Sequence, residues 1–444
     1  MTDSRGPKVF ARLLSSAVKV EAHELRAVVL AFFFFLFLLG SYYILRPVRD
    51  ALGTVYGAKN LQELYTGTTI GTLIAAPIYA AFASRIKLST FLPWIYGFFI
   101  LTILAFYALF ETVEQDRWIA AGFFVWVSVF NLFITSVFWS FMADLFSRSQ
   151  AKRLFGFISA GGSVGAAIGP GLTALLAERL GNNALLLCSC LGFGIAILFL
   201  RQLEKEKLRV ASGEPDGQTS RLDHKLGGNL FDGFRLLAKS PYLLFIASFV
   251  LLLTWVSTIL YFQQADLISQ AFESREARTK AFAMVDFIVN SCAILVQLFG
   301  TGRIAQRFGI TTTLIINPVI MVFAFVAVAI SPILMVLLAV QVVRRVSEYA
   351  IARPGREMLF TVVDQESKYK AKNVIDTVVY RVGDLSSAWV TAGLQTVGLG
   401  VGGIAIFGVA VSACWGGIAL MLGRRYEDVQ GGFGIAKREL ETTE

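Results

Sequence analysis

The sequence predicts an all-α integral membrane protein of twelve transmembrane helices in two pseudo-symmetric six-helix bundles. Three observations carry that prediction. Hydrophobic residues make up 56% of the 444-residue chain and charged residues only 16%, against about 25% charged in soluble domains. Twelve apolar runs approach the length of about 20 residues that a helix needs to cross a bilayer. An inner-loop pattern also recurs between the two halves at an offset of 220 residues. This composition excludes a cytosolic enzyme, a secreted disulfide scaffold and a disordered regulator. The net charge of +9 reports membrane orientation first, so no nucleic-acid partner is expected. Cys188, Cys190, Cys292 and Cys414 all lie in apolar runs without metal-ligand spacing and read as small buried hydrophobes.

In chain order, the first six runs are 27–49, 64–84, 91–110, 118–142, 155–177 and 183–201. The second six are 241–264, 281–301, 311–330, 332–352, 374–397 and 401–423. The expected organisation is a cytosolic segment 1–26, an N-terminal bundle 27–201, a polar linker 202–240, a C-terminal bundle 241–423 and a tail 424–444. The linker carries the turn-rich Gly213-Glu-Pro-Asp-Gly217. With the N-terminus inside, inner segments hold 29 Lys and Arg and outer loops hold 6. That asymmetry places both termini in the cytoplasm, and the expected location is the cell (inner) membrane. The first apolar run is too long for a signal peptide and continues into Arg46-Pro47 rather than a cleavage site. Ahead of it, Phe10, Leu13, Leu14 and Ala17 recur at helical spacing beside Lys8, Arg12 and Lys19. That pattern fits either a short helix on the inner membrane surface or an unstructured tail.

The repeat lies in the inner loops. Asp144, Ser147, Arg148, Ala151 and Lys152 follow the fourth span as Asp364, Ser367, Lys368, Ala371 and Lys372 follow the tenth. Arg85 and Arg303 occupy corresponding loops after the second and eighth spans. Equal topology in both halves implies a parallel repeat about an axis along the membrane normal. The charges at these helix ends, Arg85, Asp144, Arg148, Lys152, Arg303, Asp364, Lys368 and Lys372, are candidate gating groups. The alternative is that their basic members are topology signals alone.

Ionisable residues inside spans are costly and face a cavity or one another. Arg46 and Arg49 are three apart at the end of the first span, beside Tyr42 and Pro47. With Gln263, Gln264 and Arg381 they form the candidate substrate-binding set. Asp50, Asp266, Asp286, Glu348 and Asp376 are candidate coupling or ion-pair acids. Arg344 with Glu348 and Tyr380 with Asp384 are also spaced for local pairing (i, i+4). Gly161, Gly165 and Gly169 repeat every four residues before Pro170-Gly171, which suits close helix packing and a hinge. No phosphate loop, zinc motif or Ser-His-Asp order is present, and His23 and His224 lie outside the spans. No enzyme, cofactor or metal is expected.

Two six-helix halves, a central linker, paired inner loops and a Gly-Pro fifth helix together resemble the major facilitator superfamily. Within it, Arg353-Pro354-Gly355-Arg356-Glu357-Met358, Asp364-Gln365-Glu366, Lys368, Lys370, Lys372, Asp376 and Arg381-Val-Gly383 look like the ATP:ADP antiporter (nucleotide transporter) family. Arg49-Asp50 and Phe138-Trp139 match that family's pattern too. The resemblance implies alternating-access transport and, for the characterised exchangers, an adenine nucleotide. Val127, Thr258 and Phe262 stand where those exchangers align acidic and lysine residues, which leaves Arg49 as the main matching phosphate-gripping charge. The expected function is secondary active transport of an anionic or zwitterionic organic solute by a monomer in the bilayer. H+ or a counter-substrate would be its coupling partner. The alternatives are a proton-coupled carrier of a peptide-like, siderophore-like or other amphiphilic solute, and a non-transporting sensor or scaffold.

Overall fold

The computed structural model describes residues 20–21, 23–83, 88–113, 116–211, 230–299, 301–363 and 365–441, and every regular element among them is helical. Among the described residues the first elements are α1 (Leu25–Gly57), a 3-10 turn (Ala58–Asn60), α2 (Leu61–Ala83), α3 (Leu88–Thr112) and α4 (Arg117–Leu145). Asp116 caps α4 by accepting the backbone N–H groups of Trp118 and Ile119 at 2.5 and 3.2 Å, satisfying donors the helix leaves open. Next come α5 (Arg148–Ala211), α6 (Leu230–Lys239) and α7 (Pro241–Ala271). Ser240 and Pro241 start α7 as cap and first-turn residue. The rest are α8 (Arg275–Phe299), α9 (Thr301–Ile330), α10 (Leu334–Ser347), α11 (Arg353–Met358), α12 (Gln365–Val374), α13 (Tyr380–Thr396) and α14 (Val401–Glu441).

Among the described residues eight stretches are long and apolar enough to cross a membrane. Two of them, Leu25–Ile78 and Ser149–Glu206, run 54 and 58 residues. Each would extend about 80 Å or more as continuous helix, well beyond a hydrocarbon layer of about 30 Å. Both are broken by glycine at positive φ, Gly57 at 139° and Gly181 at 80°, a conformation a side chain would strain. The breaks fall in the loops expected between spans one and two and between spans five and six.

Spans ten and eleven, expected as plain helices, each carry a π turn, at Glu348–Ala352 and Ile375–Val379. Pro354 explains the first: it cannot donate to the carbonyl four residues back, and its ring pushes that turn wider. Ile375, Thr377, Val378 and Val379 crowd the second with β-branched side chains.

The chain separates into two compact units. Unit one comprises Met1–Tyr56, Ile70–Lys225 and Glu273–Phe287, and unit two comprises Gly57–Thr69, Leu226–Phe272 and Ile288–Glu444. Relative to the bundle limits read from the sequence, each unit takes in a short segment from the other half. Within unit one, Lys280 pairs with Glu178 at 2.6 Å and Arg278 donates to Thr54 at 3.1 Å. Within unit two, Tyr65 packs on Tyr261 and Phe262, and Trp389 donates to Thr66 at 3.1 Å.

Each core is filled by aromatic and aliphatic side chains. In unit one Phe35 stacks on Phe138 at 3.9 Å, with Phe34, Tyr96, Phe130 and Phe193 fully buried around them. In unit two Phe249 meets Trp415 at 5.3 Å beside buried Phe325 and Ile259. The glycines of α5 act here as packing residues: α5 crosses the α1 backbone at Phe32, Leu36 and Gly40. Helical geometry continues through Pro170, and the break within α5 is at Gly181. Gly383 makes the corresponding close approach in unit two, against Thr254.

Candidate functional site

In unit one, α1 presents Arg46 and Arg49 one turn apart, but their surroundings differ. Arg49 donates through Nε and Nη2 to Asp50 Oδ1 at 2.9 and 2.5 Å, and through Nη1 to Ser128 Oγ at 3.3 Å. Its guanidinium also lies 5.1 Å from the centre of the Phe124 ring. Asp50 is buried, so the Arg49–Asp50 contact is charge-assisted and lies within α1, while Ser128 and Phe124 carry Arg49 across to α4. Arg46 instead sits with Nε 3.6 Å from Asp286 Oδ2, beside the Tyr43 ring, with 21% of its side chain exposed. Tyr42 is buried against Tyr43 and Phe130.

Unit two repeats this contrast. Gln341 Nε2 donates to Gln264 Oε1 at 2.6 Å, and Arg344 Nε donates to Gln341 Oε1 at 2.9 Å. Arg344 Nη1 then reaches Ser257 at 3.0 Å and Glu348 at 2.7 Å. The chain of bonds is buried from end to end except at Ser257, and it ties α7 to α10. Gln263 is also buried and donates to the Val401 carbonyl at 3.0 Å. Arg381 and Asp384, by contrast, stand 3.6 Å apart with 21% and 14% of their side chains exposed. Thr258 donates to Asp384 at 3.4 Å. Asp266 is half-buried in unit two.

A pair at 2.5–2.9 Å is a formed hydrogen bond, whereas one at 3.6 Å holds by Coulomb attraction alone. Arg46 and Arg381 are the more exposed arginines, each 3.6 Å from its carboxylate. Arg49 and Arg344 are built into helix contacts. Asp286 was legible in the sequence as an intramembrane acid, but its pairing with Arg46 was not. Ser128, Ser257 and Gln341 were missed, although Gln341 lies one turn before Arg344 on the same face.

At the inner loops, Arg85 and Asp364 lie outside the described residues, as do the side chains of Arg148, Arg303 and Lys368. Asp144 and Lys152 are exposed. Lys372 pairs with Glu357, and Arg356 pairs with Asp376 at 3.4 Å. The surface-helix pattern at Phe10–Lys19 and residues 212–229 of the linker also lie outside the described residues.

A tie the sequence did not announce is Glu24, 1% exposed. It accepts from Gln150 at 2.9 Å, from Arg153 at 2.8 and 3.2 Å and from the Glu21 backbone at 3.0 Å. Burial pushes its pKa up, but the Glu21 N–H, Arg153 and Gln150 together outweigh that and hold the carboxyl below its ordinary value. A depressed folded pKa gives stability that is complete above the unfolded value of 4.5 and is lost as pH falls through the folded one. Thermal unfolding should therefore show stability falling below about pH 4.5, and Glu24→Gln should be less stable at pH 7 with that acid dependence reduced. An identical acid profile in the variant would assign the loss to other carboxylates.

Two clefts accompany these groups in unit one. One of about 280 Å³ is walled by Leu36, Phe37, Ile168, Leu172 and Leu191 among others and is almost wholly hydrocarbon. It offers no recognition for an anion. The other, about 410 Å³, is lined by Thr54, Glu273, Arg275, Glu276 and Arg278 among others and mixes both signs of charge.

The family model described as Major Facilitator Superfamily matches residues 27–350. The sequence is 22% identical over 462 residues to the ADP,ATP carrier protein 1 of Chlamydia muridarum (strain MoPn / Nigg), covering 88% of this chain and 86% of the carrier. A bacterial homolog of the human lysosomal transporter Spinster matches with a TM-score of 0.61 at 13% identity, over 92% of this chain and 99% of that one. The nucleoside transporter NupG matches with a TM-score of 0.58 at 16% identity, over 92% and 99%. At such identities the structural likeness concerns the fold.

Proposed function

The chain belongs to the Major Facilitator Superfamily, and from that premise we propose that it is a secondary active transporter moving an anionic or zwitterionic organic solute by alternating access. It is a multi-pass membrane protein and a transporter of small molecules rather than an enzyme. The finer reading has twelve spans and both termini in the cytoplasm of an inner-membrane monomer, without a nucleic-acid partner. The observation that carries the substrate charge is the loose arginine–aspartate pair in each unit, Arg46–Asp286 and Arg381–Asp384. An anion arriving at such a guanidinium competes with a carboxylate 3.6 Å away. The tight pairs, Arg49–Asp50 and Arg344–Glu348, each lie within one helical run, and their arginines reach neighbouring helices through Ser128 and Ser257.

A nucleotide-like solute is supported by the likeness to a carrier named for ADP and ATP. A proton-coupled carrier is supported by Asp286, whose side chain is 3% exposed. Buried ionisable groups within spans mark coupling sites. Proteoliposomes with the full chain separate the two. Uptake of labelled ATP driven by internal ADP, insensitive to a pH gradient, is expected of nucleotide exchange. Uptake of nucleosides or organic anions that follows an imposed inward proton gradient is expected of the second reading. If no solute in either panel moves above empty liposomes, the anion reading falls.

A further inference from the structure

The turn into α8 reads Glu273-Ser-Arg275-Glu276-Ala-Arg278, four charges of alternating sign. Alternation at one or two residues keeps opposite charges apart, because side chains on a helix face each other at three or four. Within α8 the three-residue step joins Arg275 to Arg278, like to like. Accordingly Glu273, Arg275 and Glu276 form no ion pair among the described residues. Ser274 caps the helix, its Oγ accepting the Ala277 N–H at 3.1 Å, and this fixes the first turn.

The four charged side chains line one cleft of about 410 Å³ in unit one, walled on its other side by Thr54 and Val55 at the end of α1. Arg278 joins the two walls. It donates to Thr54 Oγ1 at 3.1 Å, and that hydroxyl donates to the Ala51 carbonyl at 2.7 Å. Thr54 is buried, Arg275 and Glu276 are half-buried, and Glu273 is exposed. Sites for small molecules span about 300–1,000 Å³, so the cleft is large enough for one. A purely anionic solute would meet the glutamates there, and a purely cationic one the arginines. A solute carrying both signs satisfies both walls, since an oxyanion accepts from a guanidinium and an ammonium donates to carboxylates.

We propose that this cleft binds a small zwitterion, its oxyanion on Arg275 and its ammonium on Glu273 and Glu276. Thr54 lies eight residues beyond Arg46 in α1, about 12 Å along the helix, at the end the sequence assigns to the outer side. The cleft is thus a receiving site ahead of Arg46. That role rests on the transport reading, whereas the binding does not. The chemistry has two sources: a soluble zwitterion such as a short peptide, or the headgroup of an ethanolamine phospholipid.

The test follows the melting temperature of the full chain in detergent at low, matched ionic strength. The probes are glycylglycine, succinate and putrescine, with dioctanoyl phosphatidylethanolamine against dioctanoyl phosphatidylcholine. Glycylglycine should stabilise more than either single-sign probe. Stabilisation by phosphatidylethanolamine alone, beyond phosphatidylcholine, identifies the headgroup instead, and either result supports the site. Arg275→Gln and Glu276→Gln remove charges without an ion-pair partner among the described residues, so both should fold. Each should raise the half-maximal concentration about tenfold, as expected for one charge-assisted contact. Arg117→Gln, at an exposed position beside Trp118, should leave it unchanged. The proposal is overturned if glycylglycine does not exceed the single-sign probes and phosphatidylethanolamine does not exceed phosphatidylcholine. It is overturned equally if Arg275→Gln or Glu276→Gln keeps the full response, or if Arg117→Gln loses as much. Uptake by the same protein in liposomes keeps the two readings apart. Uptake without binding at this cleft overturns the site alone, and binding without uptake overturns the transport reading alone.

Discussion

Arg46→Ala should reduce uptake by tenfold or more and lower stability, and the two losses should part company in a double variant. Removing Arg46 leaves Asp286, with 3% of its side chain exposed, without the cation beside it. Breaking a fully buried pair costs about 3–5 kcal/mol, and the 21% exposure of Arg46 puts this case near the lower end. Arg46→Gln with Asp286→Asn removes both charges and keeps both shapes, so most of the stability should return. Transport should not return, because the group that meets the anion is gone. Arg49 supplies the contrast. Its donors engage Asp50 and Ser128, so Arg49→Gln with Asp50→Asn should restore both folding and much of the uptake. Melting and uptake measured on the same preparations decide it. Full uptake in the Arg46–Asp286 double variant would make that pair structural and remove it from the substrate site.

How much of this could be read beforehand depends on the range of the interaction. The long apolar helices were legible because apolar length is a local property. Arg344–Glu348 was legible as a pair because its spacing is one turn, whereas Arg49, read as a substrate ligand, pairs with its neighbour Asp50. Arg46 and Asp286 are 240 positions apart, and nothing local in either segment marks the other as its partner. The same holds for Gln264 and Gln341, whose amide contact forms only when α7 and α10 pack. Glu24 was hidden differently: it stands before the apolar run and reads as an ordinary surface acid, yet Gln150 and Arg153 bury it. The glycines of α5 announced a close contact but could not say against what. The segments exchanged between units, 57–69 and 273–287, follow from tertiary packing that no periodicity encodes.

That glycine contact carries the other large effect. Gly165→Val should destabilise the protein by about 3 kcal/mol or more, at or beyond the upper end of ordinary overpacking. A Cβ at Gly165 would lie 2.2 Å from the Leu36 carbonyl oxygen and 2.9 Å from the Gly40 nitrogen. These obstacles are backbone atoms of a helix, so no rotamer change relieves them, and α1 and α5 must move apart. Between membrane helices such close packing is itself the main attraction, since lipid is as apolar as the side chains. Gly161 and Gly169 would lose their approach to Phe32 and Gly40 together with Gly165. Gly194→Ala is the control. It lies in the same helix with open space around its missing Cβ, and there alanine should stabilise by about 0.5–1 kcal/mol. If Gly165→Ala and Gly194→Ala melt alike, α1 and α5 are not locked at this crossing. Gly165→Ala that folds poorly but transports normally once folded would mean a static seam. Gly165→Ala that folds and fails to transport would mean that the two helices slide on this glycine face during the cycle.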